Sequence, residues 1–274
     1  MRAARAAVWL CLAALLCGPA VAEDDSGLER LTRREQLLGW EAVGRIDIVD
    51  GGFCTGTLIA TNLVLTAAHC VMEPDGTPID ADRMTFRAGL ADGTAIAEVA
   101  VRRTAAIPGY AVARSDLDQL GLDAALLELV SDIPAAVAAP FVVESPGDGD
   151  EVSVVSYARG REEALSWQKV CSVLGRRSGL IAVNCNVTFG ASGAPVLDRS
   201  FGRARIVSII SSGYAEQGAV VAFGMELPGI VDQLKARLRQ GKALSEAGGA
   251  AAPAIRRIGA ADTRRDTGTR FVKP

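Results

Sequence analysis

A single histidine, His69, occurs in the 274 residues, so a metal centre built on several imidazoles has no ligands here. Cysteine does not supply one either. No pair of CxxC knuckles is present, and the spacing excludes a cysteine-based zinc site. Lysine and arginine are spread through the chain, and the formal net charge is -3. That leaves no basic footprint for nucleic acid. After residue 22 no hydrophobic run reaches the roughly 20 residues that a membrane-spanning helix needs.

What is present begins with an export pattern. Arg2 and Arg5 precede an apolar run at 6–16, and Ala20-Val21-Ala22 offers a small-x-small cleavage site before Glu23-Asp24-Asp25. The expectation is a signal peptide at 1–22 and a secreted or periplasmic product, free of the membrane after signal removal. Cys54, Cys70, Cys171 and Cys185 then remain. An even number in an oxidising compartment implies two disulfides. Four cysteines allow three pairings. The local one, Cys54 with Cys70 and Cys171 with Cys185, is the simplest, and each bridge would contribute about 3 kcal/mol on a chain-entropy model.

Short β-branched runs fill the middle of the chain at 42–49, 54–60, 63–66, 84–88 and 96–104. They resume at 151–158, 166–174, 180–184, 194–197, 204–211 and 219–225. Turn residues separate them, and a Pro/Ala/Gly-rich stretch at 131–150 divides the two groups. This pattern predicts an all-β protein of two antiparallel barrels, at about 37–130 and 148–227. A helix is expected over 228–240, with Pro228 near its start and Gly241 past its end. Ile230, Leu234 and Leu238 would form its apolar face. From 241 to 274 the composition predicts a disordered tail. Residues 23–36 are charged and include Arg33-Arg34, a candidate processing site, so the folded domain is placed at 37–240.

His69 stands in Thr66-Ala67-Ala68-His69-Cys70, after the strand Leu63-Val64-Leu65 and the run Cys54-Thr55-Gly56-Thr57-Leu58-Ile59. Small Ala67 and Ala68 allow a tight turn, and a base must be held within reach of its nucleophile. Further on, Gly190-Ala191-Ser192-Gly193-Ala194-Pro195-Val196 flanks a serine with glycines, which permit backbone conformations barred to other residues.

Together these two segments resemble the histidine and nucleophile loops of the chymotrypsin/trypsin-like serine protease family, and in particular bacterial trypsin-like peptidases related to glutamyl endopeptidases. The resemblance implies two six-stranded antiparallel β-barrels with a C-terminal helix. It implies His69 as general base, Ser192 as nucleophile, and the N–H groups of Gly190 and Ser192 as oxyanion hole. In the family a disulfide holds the loop that bears the base, which is the place of Cys54 and Cys70. The third member must be a carboxylate. Asp116, Asp118 and Asp123 are candidates, and Asp123-Ala124-Ala125-Leu126-Leu127 resembles the family segment in which Asp precedes a buried strand. The order His, Asp, Ser agrees with that family.

The departures from the family pattern are informative. Ala191 stands where zymogen-derived relatives carry an Asp, and Trp40 to Arg45 lacks an Ile-Val-Gly-Gly start. Activation through a new amino terminus is therefore not expected. Asn186 stands six residues before Ser192, where trypsins place the pocket Asp, so Arg/Lys preference is not implied. The second histidine of glutamyl-specific relatives is missing. Ser211-Ser212-Gly213 resembles the edge along which a substrate backbone lies as an added strand. Asn186, Ser211 and Gly213 are accordingly the expected substrate-binding residues. The resemblance implies a secreted serine endopeptidase acting on peptides or proteins as a monomer, without metal or cofactor. The alternative is an inactive binding protein on the same scaffold.

Overall fold

The computed structural model describes residues 27–248, except 115, 148, 150, 201, 217 and 218. The expected signal peptide and residues 249–274 of the expected tail lie outside the described residues. Strand β1 (Leu28–Leu31) comes first. The strands of the first sheet follow: β2 (Val43–Ile48), β3 (Phe53–Ala60), β4 (Leu63–Thr66), β5 (Met84–Ala88) and β6 (Ala97–Ala106), then a one-turn helix α1 (Leu117–Leu120) and β7 (Ala125–Leu129). The second sheet contains β8 (Glu151–Ala158), β9 (Arg161–Arg177), β10 (Leu180–Val183), β11 (Pro195–Asp198), β12 (Arg205–Ile209), β13 (Ser212–Glu216) and β14 (Ala219–Met225). Helix α2 (Pro228–Arg239) and a two-residue strand, β15 (Ser245–Glu246), complete the order.

Alternation decides which face turns inward. In β5 Met84, Phe86 and Ala88 are buried while Thr85 and Arg87 are partly exposed, and β6 buries Ala97, Val99 and Val101 in the same way. The first sheet runs β6-β5-β2-β3-β4-β7, and β7 pairs back onto β6, which closes a six-stranded barrel. The second runs β12-β11-β8-β9-β10-β14-β13 and stays a curled half-barrel. The all-β, chymotrypsin-like expectation holds, with one difference in the second barrel. Only Ile210 and Ser211 separate β12 from β13, so the chain continues through a bend instead of a hairpin and no ladder closes the sheet. Side-chain and single backbone bonds span the gap instead: Ser208 Oγ donates to the Met225 carbonyl at 2.8 Å, and the Ser211 N–H donates to Phe223 O at 2.9 Å. One apolar cluster runs across both sheets, and a second lies within the second sheet. In the cluster that spans both sheets the buried Tyr157 hydroxyl, on β8, donates to Leu90 O of the first barrel at 3.0 Å.

Helix α2 begins at Pro228 as expected, but its buried face is Val231, Leu234 and Leu238, with Ile230 only partly covered. Among the described residues no helix is long and apolar enough to cross a membrane. The four cysteines among the described residues form Cys54–Cys70 and Cys171–Cys185 bridges, the local pairing.

Both ends of the described chain extend past the expected 37–240 boundaries. β1 pairs antiparallel with β9 from Leu28 opposite Gln168 to Leu31 opposite Leu165. It is followed by a 3-10 turn, Arg34–Leu37, in which Gln36 Oε1 accepts from the N–H groups of Thr32 and Arg33. Residues 28–37 therefore pack as part of the folded unit, so its boundary lies ahead of the expected 37. At the other end β15 pairs with Thr104 and Arg103 of β6, and Leu244 and Ala247 donate to the carbonyls of Thr104 and Arg102, each at 2.7 Å. Residues 242–248 are ordered, against the expectation of a tail from 241. A chain starting at Leu38 is expected to lose about 3–6 kcal/mol, from the burial of Leu31 and Leu37 alone. A chain starting at Gly27 keeps β1 and serves as the reference. Thermal denaturation of the two compares them directly, and equal melting temperatures would show β1 to be dispensable.

Candidate active site

His69 lies in the 3-10 turn Ala68–Val71 that follows β4. The Cys54–Cys70 bridge ties this turn to β3, with the two Cα atoms 6.2 Å apart. Ala67 and Ala68 are fully buried beneath it, where a larger side chain would push the turn outward. Bonds from His69 and Ser211 converge on Asp123, which precedes β7 and is only 3% exposed. The His69 backbone N–H donates to Asp123 Oδ1 at 2.9 Å, and His69 Nδ1 lies 2.8 Å from Oδ2. The Ser211 hydroxyl donates to the same Oδ2 at 2.5 Å. Burial alone would push the Asp123 carboxyl upward. The hydrogen bond and charge of His69, the Ser211 hydroxyl and the His69 backbone N–H outweigh it and hold the group below its usual range. With a carboxylate on Nδ1, the tautomer favoured by the network leaves Nε2 free to accept a proton.

The other two acidic candidates lie away from the imidazole. Asp116 caps α1, accepting from the Gln119 N–H at 3.1 Å and pairing with Arg114 at 2.7 Å. Asp118 is exposed on that helix.

Three bonds, two of them from Thr55, fix the serine loop. The Ser192 carbonyl accepts from the Thr55 N–H at 2.9 Å, and the Gly190 carbonyl accepts from the Thr55 hydroxyl at 2.9 Å. The Gly193 N–H donates to Ile210 O at 2.7 Å. Gly190 has φ +95° and Gly193 +77°. A Cβ on Gly190 would stand 2.3 Å from the Phe53 ring, and one on Gly193 would stand 2.4 Å from Thr55 O. No other residue fits either position. Ala191 and Ala194 spend their N–H groups on Thr188 O and Ala191 O. Among the described residues the N–H groups of Gly190 and Ser192 have no intramolecular acceptor. Ala191 itself is buried and has no group that could pair with an amino terminus.

Ser192 and His69 line one cleft of 490 Å³, together with Ser211, Ser212 and Gly213. Asn186 is not part of its wall. The Asn186 N–H donates to Gln168 Oε1 at 2.6 Å, and the next residue, Val187, reaches the cleft in its place. Ser211 lines the cleft and also anchors Asp123, a task that the edge-strand motif did not reveal. Two further contributors were not singled out from the sequence. Thr55 locks the serine loop, and Tyr110 reaches Asp123 from the loop after β6. Burial, then the Asp123 charge and their hydrogen bond, push the Tyr110 phenol well above its ordinary value. No local signal marks either role, since each depends on a partner far along the chain. The donor atoms of Cys54, His69 and Cys70 lie within 4.8 Å of one another. Both sulfurs are spent in the disulfide, so the cluster offers no thiolates to a metal.

Solved structures of similar fold include two proteases. A Glu endopeptidase in complex with MPD superposes with a TM-score of 0.63 at 20% identity, covering 79% of this chain and 98% of that one. Protease Anisep from Arthrobacter nicotinovorans gives 0.59 at 18% identity, covering 71% and 93%. No curated protein matches the chain significantly in sequence. Residues 54–204, more than half of the chain, match the model of the trypsin-like peptidase domain. By that match and by its fold, the chain belongs to the trypsin-like peptidase family.

Proposed function

We propose that this protein is an exported serine endopeptidase that cleaves peptide bonds through an acyl-enzyme on Ser192. The observation that carries the reading is the buried Asp123 carboxylate, which accepts from the backbone, ring and Ser211 hydroxyl around His69 on the cleft that Ser192 lines. Ser192 Oγ attacks the scissile carbonyl carbon while His69 Nε2 takes its proton. The N–H groups of Gly190 and Ser192 hold the resulting oxyanion. The intermediate collapses, the amine leaves with the proton from His69, and an ester to Ser192 remains. Water then attacks that ester with His69 again as base, and the carboxylate product departs. Acyl transfer of this kind requires no metal or organic cofactor. The substrate backbone would lie along Ser211 to Gly213 as an added strand. Two disulfides accord with an oxidising compartment outside the cytosol. The protein acts as a monomer in this reading.

A fluorophosphonate reagent tests the assignment. It should attach at one site, Ser192, when the digested protein is mapped by mass spectrometry. His69→Ala should abolish the attachment, because the hydroxyl loses its base. Labelling at any other serine, or undiminished labelling without His69, would refute it.

A further inference from the structure

Among the described residues, the walls of the cleft beside Ser192 carry no acidic side chain and no lysine or arginine. Val187 and Thr188 form one side, and Ile210, Ser212, Gly213 and Val220 form the other. Apart from His69 and the Tyr214 phenol, no titratable side chain lines it among the described residues. It is also narrowed from within: a Cβ built on Gly213 would meet Val187 Cγ2 at 3.3 Å. The rim does carry a cation, since Arg159 lies 4.7 Å from the centroid of the Phe189 ring. Phe189 lines the cleft and is 72% exposed, whereas Arg159 is not among the walls.

We propose that this cleft receives the substrate side chain on the acyl side of the scissile bond, that it selects uncharged aliphatic groups of leucine or methionine type, and that Val187 limits their length. The inference rests on the peptidase reading above and adds the substrate class. A carboxylate or guanidinium inserted here would lose its hydration without gaining a partner. An aliphatic group instead exchanges water for Val187, Ile210 and Val220, and each methylene buried is worth roughly fourfold in binding. The polar groups at hand, the Thr188 and Ser212 hydroxyls, can accept as well as donate and so do not commit the cleft to one sign of charge.

The experiment uses one peptide series that varies only at the acyl-side residue: Leu, Met, Phe, Glu and Arg. On the full mature protein, with active enzyme counted by fluorophosphonate titration, kcat/KM for Leu and Met should exceed that for Glu and Arg by about 100-fold. The same series is bound at equilibrium to Ser192→Ala, where no turnover occurs, and the order of affinities should be the same. A failure of fluorophosphonate labelling would strike the peptidase reading, while the binding order would still decide the pocket. Val187→Ala should raise the Phe-to-Leu ratio by roughly tenfold, because the wall facing Gly213 recedes. A Glu or Arg peptide equal to Leu in both assays would overturn the proposal. So would a Glu preference that disappears in Arg159→Gln, which would move recognition to the rim. A Phe-to-Leu ratio unmoved by Val187→Ala would remove Val187 from its assigned role.

Discussion

Ser192→Ala should lower kcat on a peptide substrate by about six orders of magnitude while the melting temperature and both disulfides stay unchanged. The exchange deletes one oxygen and leaves what the loop needs for its shape. The bond from Thr55 to residue 192 involves its carbonyl, and the positive φ angles belong to Gly190 and Gly193, so alanine preserves both. His69→Ala should cost a similar amount, and the double variant little more, because nucleophile and base act as one unit. Steady-state kinetics beside thermal melts make the check. Retention of activity to within tenfold in Ser192→Ala would show that another nucleophile does the chemistry.

Asp123→Asn should reduce kcat by about 10⁴ at neutral pH, with a much smaller change in KM. Besides the contact with Tyr110, the Asp123 oxygens accept from the His69 backbone N–H, the His69 ring and the Ser211 hydroxyl. An amide keeps one oxygen and presents an NH₂ in place of the other. If that NH₂ faces Nδ1, the ring must accept there and carry its proton on Nε2, which is the wrong tautomer for a base. If it faces the His69 backbone N–H, two donors confront each other in a buried site. Stability should respond to pH as well. The Asp123 pKa is lower in the folded state than in the unfolded one. Its ion therefore stabilises the fold above the ordinary carboxylate range, and that stabilisation is lost as pH falls through the lower, folded value. Acid unfolding of the Asn variant should lack this component, measured as a flatter stability profile on the acid side. A parent-like profile would show that Asp123 is not held as an anion.

What could be read in the sequence was local. The turn at His69 and the glycines around Ser192 are contiguous motifs, and the short alternating strands announce an all-β chain. The missed features are those that depend on distant partners. Leu28–Leu31 places Glu29 and Arg30 between its leucines and so reads as a charged leader. Its partners, Lys169 for Glu29 and Asp92 for Arg30, lie far along the chain. Ser245–Glu246 carries no apolar alternation at all, and its pairing is dictated by β6. On α2 adjacent Ile230 and Val231 both fit a helical period with Leu234 and Leu238, and packing chose Val231. Asn186 was placed by counting back from Ser192, a count that assumes the loop length of a relative. The role of Ser211 depends on a carboxylate 88 positions away.

The two short terminal strands have a bearing on how copies of the protein meet. β6 pairs with β5 through Ala97–Ala100 only, so the backbone groups beyond that point would face outward if β15 did not engage Arg103 and Thr104. β9 joins β8 from Arg161 to Ser172 and β10 from Val173 to Arg177, and β1 occupies the remaining side at Leu165 to Gln168. An open row of N–H and C=O groups is a template for strand exchange and fibre growth. Proteolysis ahead of Leu244 or behind Leu31 would thus do more than loosen the fold. It would uncover an adhesive margin on one barrel or the other.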